Sequence, residues 1–310
     1  MSIIGQLLIR SAVLSSLFLL FRLAFRSPSL RSLISRTGLI LLLTLPALNL
    51  ATPRIHVSVP NGWSVPLSLP IPQGSTAAVV ETPPHESGAD APRDFPVASI
   101  AIAMYSLVAA AMFVRLVISI SRLSMLSARA TAVCDPRWTS ALSTARAKLG
   151  FTRAVWIVRS GSLHSPMTWG AFRPVILLDA PTLENAEGAE AILLHELTHI
   201  GRGDWLFTIL GRFVMAMLWL NPLVILLVRA AHADAELVCD DEVLLKGASP
   251  LSYASLLLAF ASREAVSTPL PVCAAVRTPE IRNRIQAVLD PNHRRERASL
   301  RVVTLLVAAF

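Results

Sequence analysis

From Leu206 to Val228 the chain is apolar apart from Arg212 and an Asn221-Pro222 step. Such a run is long enough to cross a bilayer, which takes about 20 helical residues at roughly 1.5 Å each. On its N-terminal side stands HELTHIGRGDW (195–205), and on its C-terminal side HADAELVCDDEVLL (232–245). A single crossing would put these two polar stretches on opposite faces of a membrane. A turn at the Asn-Pro step, where proline breaks a helix, would bring them together.

The rest of the chain also points to a membrane. Hydrophobic residues make up 54% of the sequence, charged residues only 15%, and the mean hydropathy is +0.58, too apolar for an average soluble domain. Three segments near the N-terminus can span: Ile3 to Phe25, Thr37 to Thr52, and Val97 to about Leu123. No positive charge precedes Arg10, so the first reads as a retained helix rather than a signal peptide. Arg10, Arg22 and Arg115 lie in or near these spans and are expected to snorkel to an interface.

Charge asymmetry sets the orientation. Arg26, Arg31 and Arg36 fall between the first two spans with no acid, whereas 53–96 holds two arginines against Glu81, Glu86, Asp90 and Asp94. The positive-inside rule then puts the first loop in the cytoplasm and the N-terminus and the 53–96 loop outside. Residues 1–121 form the spanning region, the third helix returns the chain inward at Arg122 and Arg129, and 122–298 form a cytoplasmic domain. The net charge of +8 reads as membrane topology rather than direct nucleic-acid contact. PNHRRERASLR followed by VVTLLVAAF reads as a basic anchor and the start of a fourth spanning helix at 299–310. Cys134, Cys239 and Cys273 have no C-x-x-C spacing and fall in the cytoplasmic stretch, so a disulfide framework is not expected.

Within that stretch, 137–150 has helical spacing and a terminal Gly, while 154–160 and 173–179 read as short strands. Glu184 to Ile200 reads as one helix ending near Gly201. The expected fold is therefore mainly α, with a small α+β layer ahead of a helical remainder.

On a helix, His195 and His199 project from one face, so both imidazoles reach one cation, and Glu196 lies where it can take a proton from water. Imidazoles with a carboxylate suit zinc, whose catalytic sites carry three protein ligands and one open position. H-E-x-x-H alone arises by chance on amphipathic helices, and core or interface histidines are the plain alternative. In the acidic stretch, Glu236 and Asp240 are spaced i to i+4, so one suits the metal and the other a ligand histidine's free N–H. His232 shares that face and competes, and a solvated acidic helix face is the alternative for the whole cluster.

Six separated motifs together resemble the BlaR and MecR antirepressor metallopeptidases, membrane zinc proteases of the gluzincin type. They are SPMTWGAFRPVILLD (165–179), HELTHIGRGDW, WLNPLVILLVR (219–229), ELVCDDEVL (236–244), SYASLLLAFA (252–261) and IRNRIQAVLD (281–290). The resemblance implies that His195, His199 and Glu236 bind Zn2+, that Glu196 is the general base, and that Asp240 supports a ligand. It implies ion-pair or capping roles for Arg202 and Asp204, and core packing for Cys239. A shared site rules out a single crossing and leaves a buried hairpin turning near Asn221-Pro222, a dip into the membrane from the cytoplasmic side, or packing against the other helices. The preferred reading is a membrane-associated helical hairpin with the zinc at the cytoplasmic surface of a bacterial inner membrane.

The activity implied is peptide hydrolysis, with Val175 to Leu178 as the edge strand that receives an extended substrate. The alternative for that strand is a sheet interior. The substrate implied is a cytoplasmic transcriptional repressor, cut when an outside signal arrives. Ser262 to Thr278 is a candidate self-cleavage loop, and a homo-oligomer is compatible with such a bundle. The best-known members continue past the fourth helix into an external penicillin-binding domain that this sequence does not include, leaving 53–96 as the outside segment. The competing readings are a quality-control zinc protease with many substrates and a non-catalytic signalling scaffold.

Overall fold

The computed structural model describes residues 3–51, 97–161, 165–267 and 271–295. The loop 53–96 and the expected fourth helix at 299–310 lie outside them. Three N-terminal helices are long and apolar enough to cross a membrane: α1 (Ile3–Leu23), α2 (Pro28–Ala51) and α3 (Val97–Arg129). Two of these bounds differ from those expected by more than a turn of helix. Helix α2 starts at Pro28 rather than Thr37, because proline is tolerated in a first helical turn, where its missing N–H costs no bond. The arginines expected in a loop are thereby placed on a helix. Helix α3 continues past Leu123 to Arg129, there being no Gly or Pro to stop it.

Helices α1 and α2 pack closely because Gly38 admits the Phe18 ring, where an added Cβ would lie 2.8 Å from Phe18 Cγ. Lipid is as apolar as leucine, so close packing of this kind, rather than transfer from water, holds spanning helices together.

The apolar run turns back on itself. Helix α7 (Asp204–Met217) ends ahead of Asn221, and α8 (Pro222–Leu245) returns along it. The Asn221 side chain makes both halves of the turn's polar connections. Its Oδ1 accepts from the Leu223 N–H at 3.0 Å, and its Nδ2 donates to Ser11 Oγ, midway along α1, at 3.0 Å. Both residues are buried. On the other side, Tyr105 of α3 donates its hydroxyl to the Met217 carbonyl and stacks on Trp219 with centroids 5.9 Å apart. Gly211 lets the two arms approach, since a Cβ there would sit 3.1 Å from Val228. Val214, Leu218, Val224 and Leu227 complete one core with Phe18, Ile34, Leu39 and Leu42.

The second core lies around a four-stranded sheet and α6 (Ala189–Arg202). Helix α4 (Pro136–Leu149) is capped by the Asp135 side chain at its start and by left-handed Gly150 at its end. The strands β1 (Thr131–Ala132), β2 (Trp156–Arg159), β3 (Met167–Trp169) and β4 (Val175–Leu178) lie in the order β1-β2-β4-β3. Strands β2 and β4 are parallel, and the other pairs are antiparallel. Val175–Leu178 is thus a central strand, which corrects its assignment as the substrate edge. The sheet's edges are β1 and β3, strands of two and three residues, too short for alternation to reveal.

The expected helix from Glu184 is also corrected. Helix α5 (Ala180–Glu184) stops there, Gly188 at φ 81° breaks the path, and α6 runs through Gly201 to end at left-handed Gly203. Helices α9 (Pro250–Ser267) and α10 (Pro271–Leu289) follow. They make most of the expected 262–278 loop helical, with 268–270 outside the described residues.

Candidate metal centre

The hairpin decides what meets what. Helix α8 returns to pack against α6, so Glu236 comes to face His195 and His199. The two Nε2 atoms are 3.1 Å apart, and the Glu236 oxygens lie 3.5 Å from Nε2 of His195 and 3.4 Å from Nε2 of His199. Donors at about 2.0–2.1 Å from one tetrahedral zinc would be separated by about 3.3 Å. The three donors therefore fit zinc spacing. His232 lies on the same cavity wall but outside this trio.

Each histidine is turned toward the other donors by a carboxylate behind it. Asp204 Oδ2 accepts from His199 Nδ1 at 2.7 Å, and Asp240 Oδ1 lies 3.2 Å from His195 Nδ1, with the Tyr253 hydroxyl 3.0 Å from the same nitrogen. With Nδ1 carrying the proton, each Nε2 keeps a lone pair for a cation. Asp204 had been given an ion-pair or capping role. It does pair with Arg202 Nε at 3.3 Å, but its side chain makes no cap, and its shortest neutral contact is to the histidine.

Spacing gave no sign of two further residues. Arg284 of α10 grips Asp240 with Nε and Nη2, both at 2.7 Å, and reaches Glu236 Oε2 with Nη1 at 2.9 Å. Tyr253 of α9 donates to Asp240 Oδ1 at 2.7 Å. Both fall in quoted motifs, yet the spacing on their own helices does not point to α8: Glu280 stands four residues before Arg284, and Tyr253 is one of several polar residues on α9.

These charges reinforce one another. Burial would push Asp240 up, but Arg284 and His195 outweigh it and hold the carboxyl at about 2. Burial likewise opposes charge on His195, yet Asp240 and Glu236 bring its imidazole up to about 9, so without a metal Nε2 holds a proton that a bound cation displaces. Burial and the surrounding carboxylates keep the Cys239 thiol far above its usual range, so it is a neutral packing group, 3.8 Å from Asp204 Oδ2.

Glu196 is buried on the next position of α6, and its Oε2 accepts a hydrogen bond from Thr168 on the edge strand β3. A cavity of about 730 Å³ opens over these groups. Its walls include Leu116, Ile120 and Leu123 of α3, Met167 of β3 and Phe260 of α9, so a long apolar helix bounds the cleft above the donors.

The N-terminal helices are tied to the same region. Arg22 and Arg31 pair with Asp234 at 2.7 and 3.1 Å, and Arg36 pairs with Asp204. Arg22 therefore does not snorkel as expected, because an acid within reach on α8 gives it a partner inside the bundle.

Known proteins match this arrangement in part or nearly throughout. Regulatory protein BlaR1 of Bacillus licheniformis is 33% identical over 126 residues, which is 40% of this chain and 21% of that protein. Methicillin resistance mecR1 protein of Staphylococcus aureus (strain Mu50 / ATCC 700699) is 30% identical over 106 residues, 33% of this chain and 18% of its own length. The matched stretch thus spans about a fifth of either relative. The family model described as BlaR1 peptidase M56 matches residues 7–288, from the first apolar helix to the end of α10. A peptidase family together with a donor cluster fit for a metal ion implies a metallopeptidase, and by that match this chain belongs to the BlaR1 peptidase M56 family.

Proposed function

We propose that the protein is a multi-pass zinc endopeptidase of the bacterial inner membrane that relays an outside signal by cutting a cytoplasmic repressor-type protein. The observation that carries the chemistry is the convergence of His195, His199 and Glu236 at tetrahedral spacing beside a buried Glu196. Zinc held there supplies Lewis acidity, polarising a scissile carbonyl and acidifying water. Glu196 takes the proton from the attacking water and delivers it to the leaving amine. Asp240 and Asp204 hold the two imidazoles in the metal-binding tautomer. An extended substrate adds to the free edge of β3, which lays its backbone across Glu196.

Thr168 follows from this reading as the residue that aims the base. Thr168→Val, nearly isosteric, is expected to lower kcat about tenfold, which corresponds to about 1.4 kcal/mol, with KM and zinc content unchanged. Steady-state kinetics beside metal analysis would show it, and an unchanged kcat would remove Thr168 from the mechanism.

The arginine asymmetry of the N-terminal half supports a cytoplasmic catalytic face. The buried Asn221 side chain, which caps α8 and reaches Ser11 at the hairpin turn, supports a hairpin dipping into the bilayer without crossing, since unsatisfied polar groups are excluded from lipid. The relatives' names, a regulatory protein and a methicillin resistance protein, favour signalling over quality control. The two are separated by comparing the cytoplasmic proteome of cells carrying wild type and Glu196→Ala. One regulator whose fragments disappear in the variant is the expected result, and dozens of stabilised membrane proteins would overturn the signalling assignment.

A further inference from the structure

We propose that Arg36 of α2 is a positioning residue for the metal centre, acting through Asp204 on the ring of His199. The inference rests on the zinc reading above. Helix α6 ends and α7 begins at the left-handed Gly203 turn, and both flanks of that turn are held by one face of a membrane helix. Arg36 pairs with Asp204 Oδ1 and donates from Nη1 to the Arg202 carbonyl at 3.0 Å. Ser32, one turn earlier on α2, accepts from Arg202 Nη2 at 2.8 Å. The Arg36 guanidinium also lies 4.3 Å from the centre of the Phe207 ring, so it is fixed on three sides. Its side chain is 15% exposed and that of Asp204 10%.

The consequence lies in the division of labour on Asp204. One carboxylate oxygen is taken by Arg36, and the other receives the His199 N–H at 2.7 Å. A carboxylate anchored at one oxygen has little freedom left to rotate at the other, so the direction of the His199 ring is fixed from α2. An anchoring helix needs no such contact, because its arginine could be satisfied by water or lipid phosphate at the interface. The support of the metal site therefore extends beyond α6 to α10 into a helix of the membrane bundle, and is incomplete without it.

The test uses the full chain in detergent and Zn2+ as the probe, with dissociation constants from chelator competition and melting curves on the same samples. Asp204→Asn and Arg36→Gln are each expected to weaken Zn2+ binding by about tenfold or more, the usual scale for partners of ligand histidines. Because Arg36 acts through Asp204, the double variant should bind no worse than Asp204→Asn alone, whereas independent effects would multiply. Arg36→Lys keeps the charge but loses the planar fork, and should fall between wild type and Arg36→Gln. Arg263→Gln breaks the Asp179 ion pair at 3.1 Å, away from the donors, and should lower melting while leaving Zn2+ affinity within about twofold, as expected for an uncoupled site.

Wild-type Zn2+ affinity in Arg36→Gln, or losses that multiply in the double variant, would overturn the proposal. If Arg36→Gln does not fold, wild-type affinity in Arg36→Lys would overturn it instead. Zn2+ binding that survives replacement of both His195 and His199 in an otherwise unchanged chain would point to failure of the zinc reading itself.

Discussion

Glu196→Ala, purified with its zinc, is expected to cut its substrate about 10²–10⁴ times more slowly than wild type, the usual span for loss of a positioned general base. Metal content should be close to wild type, because Glu196 is not among the three converging donors. Its carboxylate is buried and directed by Thr168 toward the cavity, so alanine removes the proton acceptor and leaves a small void. A fragment-release assay beside metal analysis reads both quantities. Full activity would exclude the glutamate from the chemistry, and parallel loss of zinc would make its role structural.

The second large effect is on stability. Arg284→Met removes the cation that contacts both Asp240 and Glu236 while keeping much of the side-chain volume. Breaking one side of a buried ion pair leaves an uncompensated charge, typically at a cost of about 3–5 kcal/mol. Asp240 has almost no exposure through which water could replace the guanidinium. The loss should be largest in metal-free protein and shrink when zinc is added, since a bound cation supplies positive charge next to Glu236. Unfolding in detergent with and without zinc measures this, and equal stability of variant and wild type in the metal-free state would exclude the pairing as a source of stability.

Much of the fold is carried by local chemistry and was legible for that reason. Apolar length marks three helices, the spacing of His195 and His199 defines a face, and the Asn221-Pro222 step marks where the apolar run turns. What was hidden depends on contacts between distant segments. The Arg36–Asp204 pair joins positions 168 residues apart, and a lone arginine at the end of an apolar segment has the same sequence signature whether it snorkels or pairs. Arg22 illustrates the ambiguity, since its partner Asp234 becomes apparent only once the hairpin places α8 beside α1. Arg284 and Tyr253 lie on helices that carry other polar residues, and their convergence on Asp240 is a product of packing. Strand β3 has three residues, too few for an alternating pattern, so its neighbour β4 drew the edge assignment.

The Asn221–Ser11 contact bears on how the molecule is made. The turn between α7 and α8 carries polar groups that lipid cannot satisfy, and one of its hydrogen-bond partners sits on α1, which leaves the ribosome well before the hairpin does. During synthesis α1 is therefore in place before the hairpin emerges, and offers the hydroxyl against which the tip settles. Chain order is then the order of supply: the N-terminal pair precedes the hairpin that packs on it, and the hairpin's return brings the two halves of the metal site together.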